Sequence, residues 1–221
     1  MTHADAAPFR LIAVLVVATA IGPFAMQIYL PALPAIQAGF GVSAGTAQLA
    51  FSLSAFSIAI STLFYGPISD RVGRRPALIG GLIVFLAGSA MCAIAPTITI
   101  LIVGRIVQAA GGSAGLVLTR AIVRDRFGLE RSASLLAYIT LAMVAAPMLA
   151  PALGGLLADV AGWRAIFGLG LVLGHLGGRS AAEARCTGSF RCCAHPRSWV
   201  TRSTVRGRSR CSSPFSPRPR S

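Results

Sequence analysis

Residues 11–69 read LIAVLVVATAIGPFAMQIYLPALPAIQAGFGVSAGTAQLAFSLSAFSIAISTLFYGPIS, 59 consecutive positions without one charged side chain. Soluble domains carry roughly one charged residue in four, and no water-facing surface can be assembled from such a stretch. A bilayer core needs about 20 apolar residues per helix, so these positions hold two crossings and an uncharged connection. The pattern continues outward. Six apolar runs can be drawn, roughly 11–32, 47–68, 77–96, 99–119, 134–157 and 163–178, the last of them short. The whole chain is 55% hydrophobic and only 12% charged. The fold expected is an all-α membrane protein, with residues 1–10 as an N-terminal segment and 11–178 as a six-helix bundle. The first run is not a cleaved signal peptide, because it is too long and continues into Tyr29-Leu-Pro rather than a small-residue cleavage site.

The net charge of +14 suggests nucleic acid until it is located. Residues 1–178 carry ten arginines against five acids, whereas 179–221 carry ten arginines against Glu183 alone. There is no lysine. Within the runs the arginines mark alternate ends. Arg10, the cluster Arg71, Arg74 and Arg75, and the group Arg120, Arg124, Arg126 and Arg131 fall on one side, while the connections near 33–46 and 96–98 are uncharged. The positive-inside bias then places the N-terminus and the arginine-rich loops in the cytoplasm. With six spans, both termini are expected there, in a cell inner membrane.

Shifting the chain by 89 residues lays run 1 over run 4 and run 2 over run 5. Gly66, Asp70 and Gly73 then fall on Gly155, Asp159 and Gly162, and Arg74 finds its counterpart one residue late in Arg164. Because 89 residues cover three helices, an odd number, the copies face opposite membrane sides. That is a 3+3 inverted repeat, an architecture of secondary transporters whose sites lie near the midplane.

The sharpest motif is the loop Gly66-Pro-Ile-Ser-Asp-Arg-Val-Gly-Arg-Arg-Pro76. A short link between helices needs glycine for backbone geometry closed to other residues. Asp70 ends one span, where Arg71 or Arg74 can pair with it. This loop resembles the signature between helices 2 and 3 of the major facilitator superfamily, and the resemblance implies a cytoplasmic latch made of Gly66, Asp70, Arg71, Gly73 and Arg74. A narrower resemblance covers most of residues 20–175. Tyr29-Leu-Pro-Ala-Leu-Pro34, Gly66-Pro-Ile-Ser-Asp70, Arg120-Ala-Ile-Val-Arg-Asp125, Ala146-Pro147 with Ala150-Pro151, Gly154-Gly155 and Gly162-Trp-Arg-Ala-Ile-Phe167 are similar to the Bcr/CflA group. That group implies drug:proton antiport, normally by two such bundles.

Arg105 stands inside the fourth run with Gln108 on the same helix face. A cation there costs at least a few kcal/mol unless it meets a polar cavity or partner. The resemblance assigns this Arg-x-x-Gln pair to proton coupling in the central cavity, which Gln27 and Tyr29 are expected to line as well; plain packing against backbone carbonyls is the other reading. Pro147, Pro151, Gly154 and Gly155 resemble the antiporter motif of drug exporters, with Ala150 where its Gly-Pro pair has glycine. Prolines remove backbone hydrogen bonds and glycines admit close helix approach, so helix packing alone would also account for them. Relatives in the group usually have an acid two residues before Tyr29, where this chain has Gln27. Glutamine binds polar groups but exchanges no proton near neutral pH. Coupling then falls to Arg105 with the end-lying Asp70 and Asp159, or to a second bundle.

From His175 the sequence turns to Arg, Ser, Pro, Gly and Cys, with no apolar run long enough for a strand or helix. Residues 179–221 are read as a disordered tail, and the break inside a span suggests an out-of-frame or truncated end. Cys186, Cys192, Cys193 and His195 match no familiar zinc spacing, and arginine interleaved with serine at such an end is not read as RNA binding. The histidines are His3, His175 and His195, so no Ser–His pair fits the first five runs, and no enzyme or cofactor is expected. The reading is a drug exporter driven by the proton gradient, its partners being small hydrophobic or amphipathic drugs, protons and the lipid bilayer. Activity would need the missing C-terminal bundle or self-association, and the alternative is an inactive orphan bundle. The orientation is testable in a background stripped of native cysteines. Gly39→Cys and Thr97→Cys should react with impermeant thiol reagents added outside and Gly73→Cys should not; reversed labelling overturns the orientation.

Overall fold

The structure, a computed structural model, describes residues 3–183, and every regular element in that range is a helix. α1 is His3–Gln27, followed by a 3-10 turn at Leu30–Ala32 and the short α2, Leu33–Phe40. α3 is Ala44–Val72, α4 Arg74–Ala93, α5 Ile98–Ala161 and α6 Arg164–Glu183. Among the described residues, five segments are long and apolar enough to cross a membrane: Ile12–Phe40, Ala44–Val72, Arg74–Ala93, Ile98–Asp125 and Ser132–Ala161. Two of these belong to α5, which doubles back. Arg120 Nη2 lies 3.6 Å from Met143 Sδ, whereas 23 residues of straight helix would separate them by roughly 34 Å. We call Ile98–Asp125 the first arm of α5 and Ser132–Ala161 its second arm.

Two expectations change. The uncharged connection at 33–46 is mostly helical. Pro34 opens α2 in its first turn, and Gly41 closes it in the left-handed region at φ 62°, a conformation that favours glycine. The sixth helix does not stop at 178. It runs to Glu183, past the boundary at which the tail was expected to begin. Gly174 and Gly177 let it continue along the bundle, since a Cβ would stand 2.9 Å from Leu86 Cδ2 at the first and 3.1 Å from Ile21 Cδ1 at the second. Among the described residues α6 is not one of the five segments long and apolar enough to cross a membrane. The rest of the expected tail, including Cys186, Cys192, Cys193 and Cys211, lies outside the described residues.

The 89-residue offset reappears in backbone geometry. α3 ends at Gly73 with φ 105°, and the second arm ends at Gly162 with φ 78°. Each glycine is followed by a helix of 20 residues, α4 or α6. Both links occupy backbone space closed to most side chains. They lie at opposite ends of the bundle. Arg74 reaches Asp125 at the foot of the first arm, and Arg164 donates to the Ala95 carbonyl just before its head.

The interior is built on backbone proximity. Gly81 and Gly88 on α4, and Gly104 and Gly111 on the first arm, are each seven residues apart, two turns, so each pair shares a face. A Cβ at Gly88 would strike the Gln108 backbone, one at Gly111 the Phe85 backbone, and one at Gly115 the Ala18 carbonyl of α1. Small residues admit such approach where helices must attract one another without a hydrophobic drive from water. α1, α4 and the first arm bury about half of their apolar windows, at 50%, 44% and 56%, against 17% for α3 and 11% for the second arm. The last two therefore turn large apolar side chains outward, among them Phe56, Leu63, Met148 and Leu156. Gly111→Ala should lower the melting midpoint of the detergent-solubilised chain, by about 1–3 kcal/mol of overpacking. Gly80→Ala, which faces open space, should leave it unchanged or slightly raised, so equal melts for the two would sink the packing account.

Candidate functional site

α1 breaks inside its span. The Ile28 N–H still reaches the Phe24 carbonyl at 3.0 Å, and then the chain tightens into the 3-10 turn, where the Ala32 N–H bonds the Tyr29 carbonyl. Pro31 and Pro34 follow at once, and neither can donate to a helical ladder. Around this break the structure brings together Tyr29, Arg105 and Gln108. Arg105 Nη1, on the first arm, donates to the Ala25 carbonyl at 3.0 Å and to Gln108 Oε1 at 2.8 Å. Its Nη2 lies 3.6 Å from Met26 Sδ, and its Cζ stands 4.5 Å from the centre of the Tyr29 ring. Gln108 Nε2 donates to Ser89 Oγ on α4 at 2.8 Å, and Ser89 donates on to the Phe85 carbonyl at 2.9 Å. Tyr29 donates its hydroxyl to the Ala47 carbonyl of α3 at 3.0 Å.

This cluster is closed. Tyr29 is fully buried and Arg105 and Gln108 are 2% exposed, so all three lie within the bundle rather than on an open wall. Two cavities of about 10 Å³ flank the Arg105–Gln108 pair, one lined by Ile21, Phe24 and Phe85 and the other by Gly22, Met26 and Ile58. Each is about the volume one water needs. Gln27 stands apart. It is partly exposed, lines neither cavity, and makes no side-chain hydrogen bond with a described residue. No carboxylate pairs with Arg105 among the described residues. Each acid of the chain lies near an end of an apolar span or helix.

The proline-glycine segment of the second arm meets the same break from another side. Gly154 is buried, and a Cβ there would stand 2.5 Å from the Ile28 carbonyl oxygen and 2.9 Å from Pro31 Cγ. Gly155 faces Pro31 Cβ at 3.9 Å. Pro147 is half-buried and Pro151 exposed.

At the opposite end of the bundle, Arg74 rather than Arg71 is the partner of Asp70. Its Nη2 lies 2.7 Å from Asp70 Oδ1, its Nε 3.3 Å from Asp125 Oδ2, and its Nη1 donates to Ser69 Oγ at 2.6 Å. Ser69 donates to the Gly66 carbonyl, and Gly73 supplies the positive φ that lets α4 start beside α3. Arg71 is exposed and outside this network, and Gly66 has open space beside it. Sequence reading passed over Asp125, Ser89 and Met26 as site residues. Asp125 lies in a quoted motif, and Ser89 is a lone hydroxyl in an apolar run; nothing in the sequence marks Met26.

The sequence profile of the Major Facilitator Superfamily matches residues 15–179. An uncharacterized MFS-type transporter of Bacillus subtilis (strain 168), YdgK, is 40% identical over 161 residues, which is 71% of this chain and 39% of that protein. Multidrug resistance protein D of Escherichia coli (strain K12) is 33% identical, covering 74% of this chain and 42% of its own length. A chloramphenicol resistance protein of Pseudomonas aeruginosa is 38% identical over 66% of this chain and 36% of its own length. The chain thus spans about two fifths of the relatives it matches. The proton:xylose symporter XylE shares the fold with a TM-score of 0.73 over 81% of this chain and 45% of its own, at 14% identity. With the profile covering most of its length and the helices arranged as in a solved transporter, this chain belongs to the Major Facilitator Superfamily, a multi-pass membrane protein of a transporter family and not an enzyme.

Proposed function

We propose that the chain forms the N-terminal half of an exporter that moves small hydrophobic or amphipathic drugs across the inner membrane in exchange for protons. The observation that carries this reading is its similarity to proteins named for multidrug and chloramphenicol resistance. The closed Arg105–Gln108–Tyr29 cluster supports it, because an intramembrane cation is costly and therefore marks function or a specific partner. In this reading the cluster opens toward the drug path when the bundle rocks against a second one. Gln27, partly exposed at the end of α1, is then the residue already accessible to a polar substrate group. The apolar faces of α3 and the second arm are where the second bundle packs.

The network at Asp70, Arg74 and Asp125 acts as the latch, on the cytoplasmic side with both termini. Arg74 has 30% and Asp70 62% of the side chain exposed, and ion pairs this wet contribute only about 0–1 kcal/mol to folding. A latch of that strength biases conformations without holding the fold. Asp70→Asn, in a full two-bundle protein carrying this half, should therefore reduce export several-fold while membrane insertion and melting stay near wild type. Loss of folded protein in proportion to loss of export would make Asp70 a structural anchor instead.

A second reading, favoured by the outward apolar faces of α3 and the second arm, is that this chain alone transports nothing. Expressed by itself in a host lacking its own exporters, the 221-residue chain should give no resistance to chloramphenicol-like or bicyclomycin-like compounds. Co-expression of a C-terminal bundle from a relative should restore some resistance, and Arg105→Ala should abolish it. Resistance from the lone chain, retained after deletion of 179–221, would point to a self-assembled six-helix dimer.

A further inference from the structure

The break in α1 leaves a carbonyl without its helical partner. Ile28 is the last residue whose N–H reaches back four positions, to Phe24; the next acceptor in line is Ala25, and the chain has already turned into the 3-10 geometry. A helix end exposes such carbonyls together with the negative pole of the helix dipole. Lipid offers such groups no hydrogen bond, so a partner must come from within the bundle. Arg105 supplies what is missing: its Nη1 bonds the Ala25 carbonyl at 3.0 Å, and its guanidinium covers the face of Tyr29, the first residue past the break. The same side chain is held in place by Gln108, whose amide orientation is in turn set by Ser89 on α4. Among the described residues no carboxylate pairs with it; the dipole of α1, the Gln108 oxygen and the Tyr29 ring face this cation, with the Met26 sulfur beside them.

We infer that Arg105 is the C-terminal cap of a discontinuous transmembrane helix, supplied from a different helix, and that Ile28–Pro31 is a hinge whose order depends on that cap. Three elements bear on the hinge. The first arm caps it, α3 accepts the Tyr29 hydroxyl through Ala47, and Gly154 of the second arm rests against Ile28 and Pro31. Arg105 is thereby a positioning residue for the segment joining α1 to α2. Any group that draws its guanidinium away, whether a substrate oxygen or a carboxylate of another bundle, also uncaps α1. Occupancy near Arg105 is in this way transmitted to the outer end of the first span. The inference stands whether or not the chain transports a drug.

Hydrogen exchange on the full chain in lipid nanodiscs tests it without a transport assay. A lost hydrogen bond to a charged group corresponds to about a tenfold or greater gain in local opening. Arg105→Ala should therefore speed exchange about tenfold or more in peptides covering 26–36, while peptides covering 109–118 keep wild-type protection. Arg105→Lys, which keeps a cation and donors but not the planar fork, should fall between the two. Gln108→Leu removes only the orienting amide and should give a smaller increase in the same peptides; it also decides the matter if Arg105→Ala does not insert. Unchanged exchange at 26–36, a uniform increase over all helices, or a lysine variant no better protected than alanine would each overturn the cap.

Discussion

A cation enclosed by apolar helices, beyond the reach of any acid in the described chain, must be neutralised by dipoles, and Arg105 is arranged around that constraint. Its partners come from the broken end of α1, from Gln108 one turn along its own helix, and from the ring of Tyr29. To reach them, α4 and the first arm must approach until Ser89 can hold Gln108. That approach is possible because position 88 is glycine, where a Cβ would collide with the Gln108 backbone. Polar chemistry and glycine packing at this level of the bundle are thus one requirement. Breaking either leaves a buried polar group unsatisfied, at a cost of about 1–3 kcal/mol, more when the group is charged.

The two copies of the repeat show how a one-residue offset changes chemistry. After Gly73 the first residue of α4 is Arg74, four positions beyond Asp70, and the two form a short ion pair. After Gly162 comes Trp163, and the arginine arrives one position later. Asp159 has no ion pair among the described residues. Arg164 instead covers the Trp163 ring at 4.3 Å and bonds the Ala95 carbonyl, while Trp163 packs against Phe40 and Phe167. One end of the bundle is therefore joined by wet ion pairs sensitive to salt, and the other by an aromatic cluster that is not.

Much of this was legible in the sequence because the bilayer imposes one-dimensional rules. The 59 uncharged positions gave the first two spans, the arginine clusters gave the ends, and the 89-residue match pointed to Gly73 and Gly162, both of which have positive φ. Arg105 and Gln108 were legible as a pair because a helical turn joins them. What stayed hidden depends on contacts between distant positions. Asp125 reaches Arg74 across 51 residues and Ser89 reaches Gln108 across 19. Gln27 holds the position where the resemblance places an acid, but α1 ends there and its side chain lies outside the cluster. α2 was missed because eight residues between two uncharged turns carry too little periodicity to be told from a loop. The end of α6 was misplaced because glycine-rich composition hides a helix held by packing rather than by propensity.

The glycine seam between α4 and the first arm has a mechanical consequence. Where backbone lies on backbone there are few side-chain rotamers between the helices, so the contact has little to deform. Displacement of one helix is passed to the other undamped, as between gear teeth without backlash. α1, α4 and the first arm should then behave as a single stiff lever, with compliance relegated to the places that lack such contact: the kinked end of α1 and the outward-facing α3 and second arm. Force applied at either rim would be delivered to the far rim almost whole.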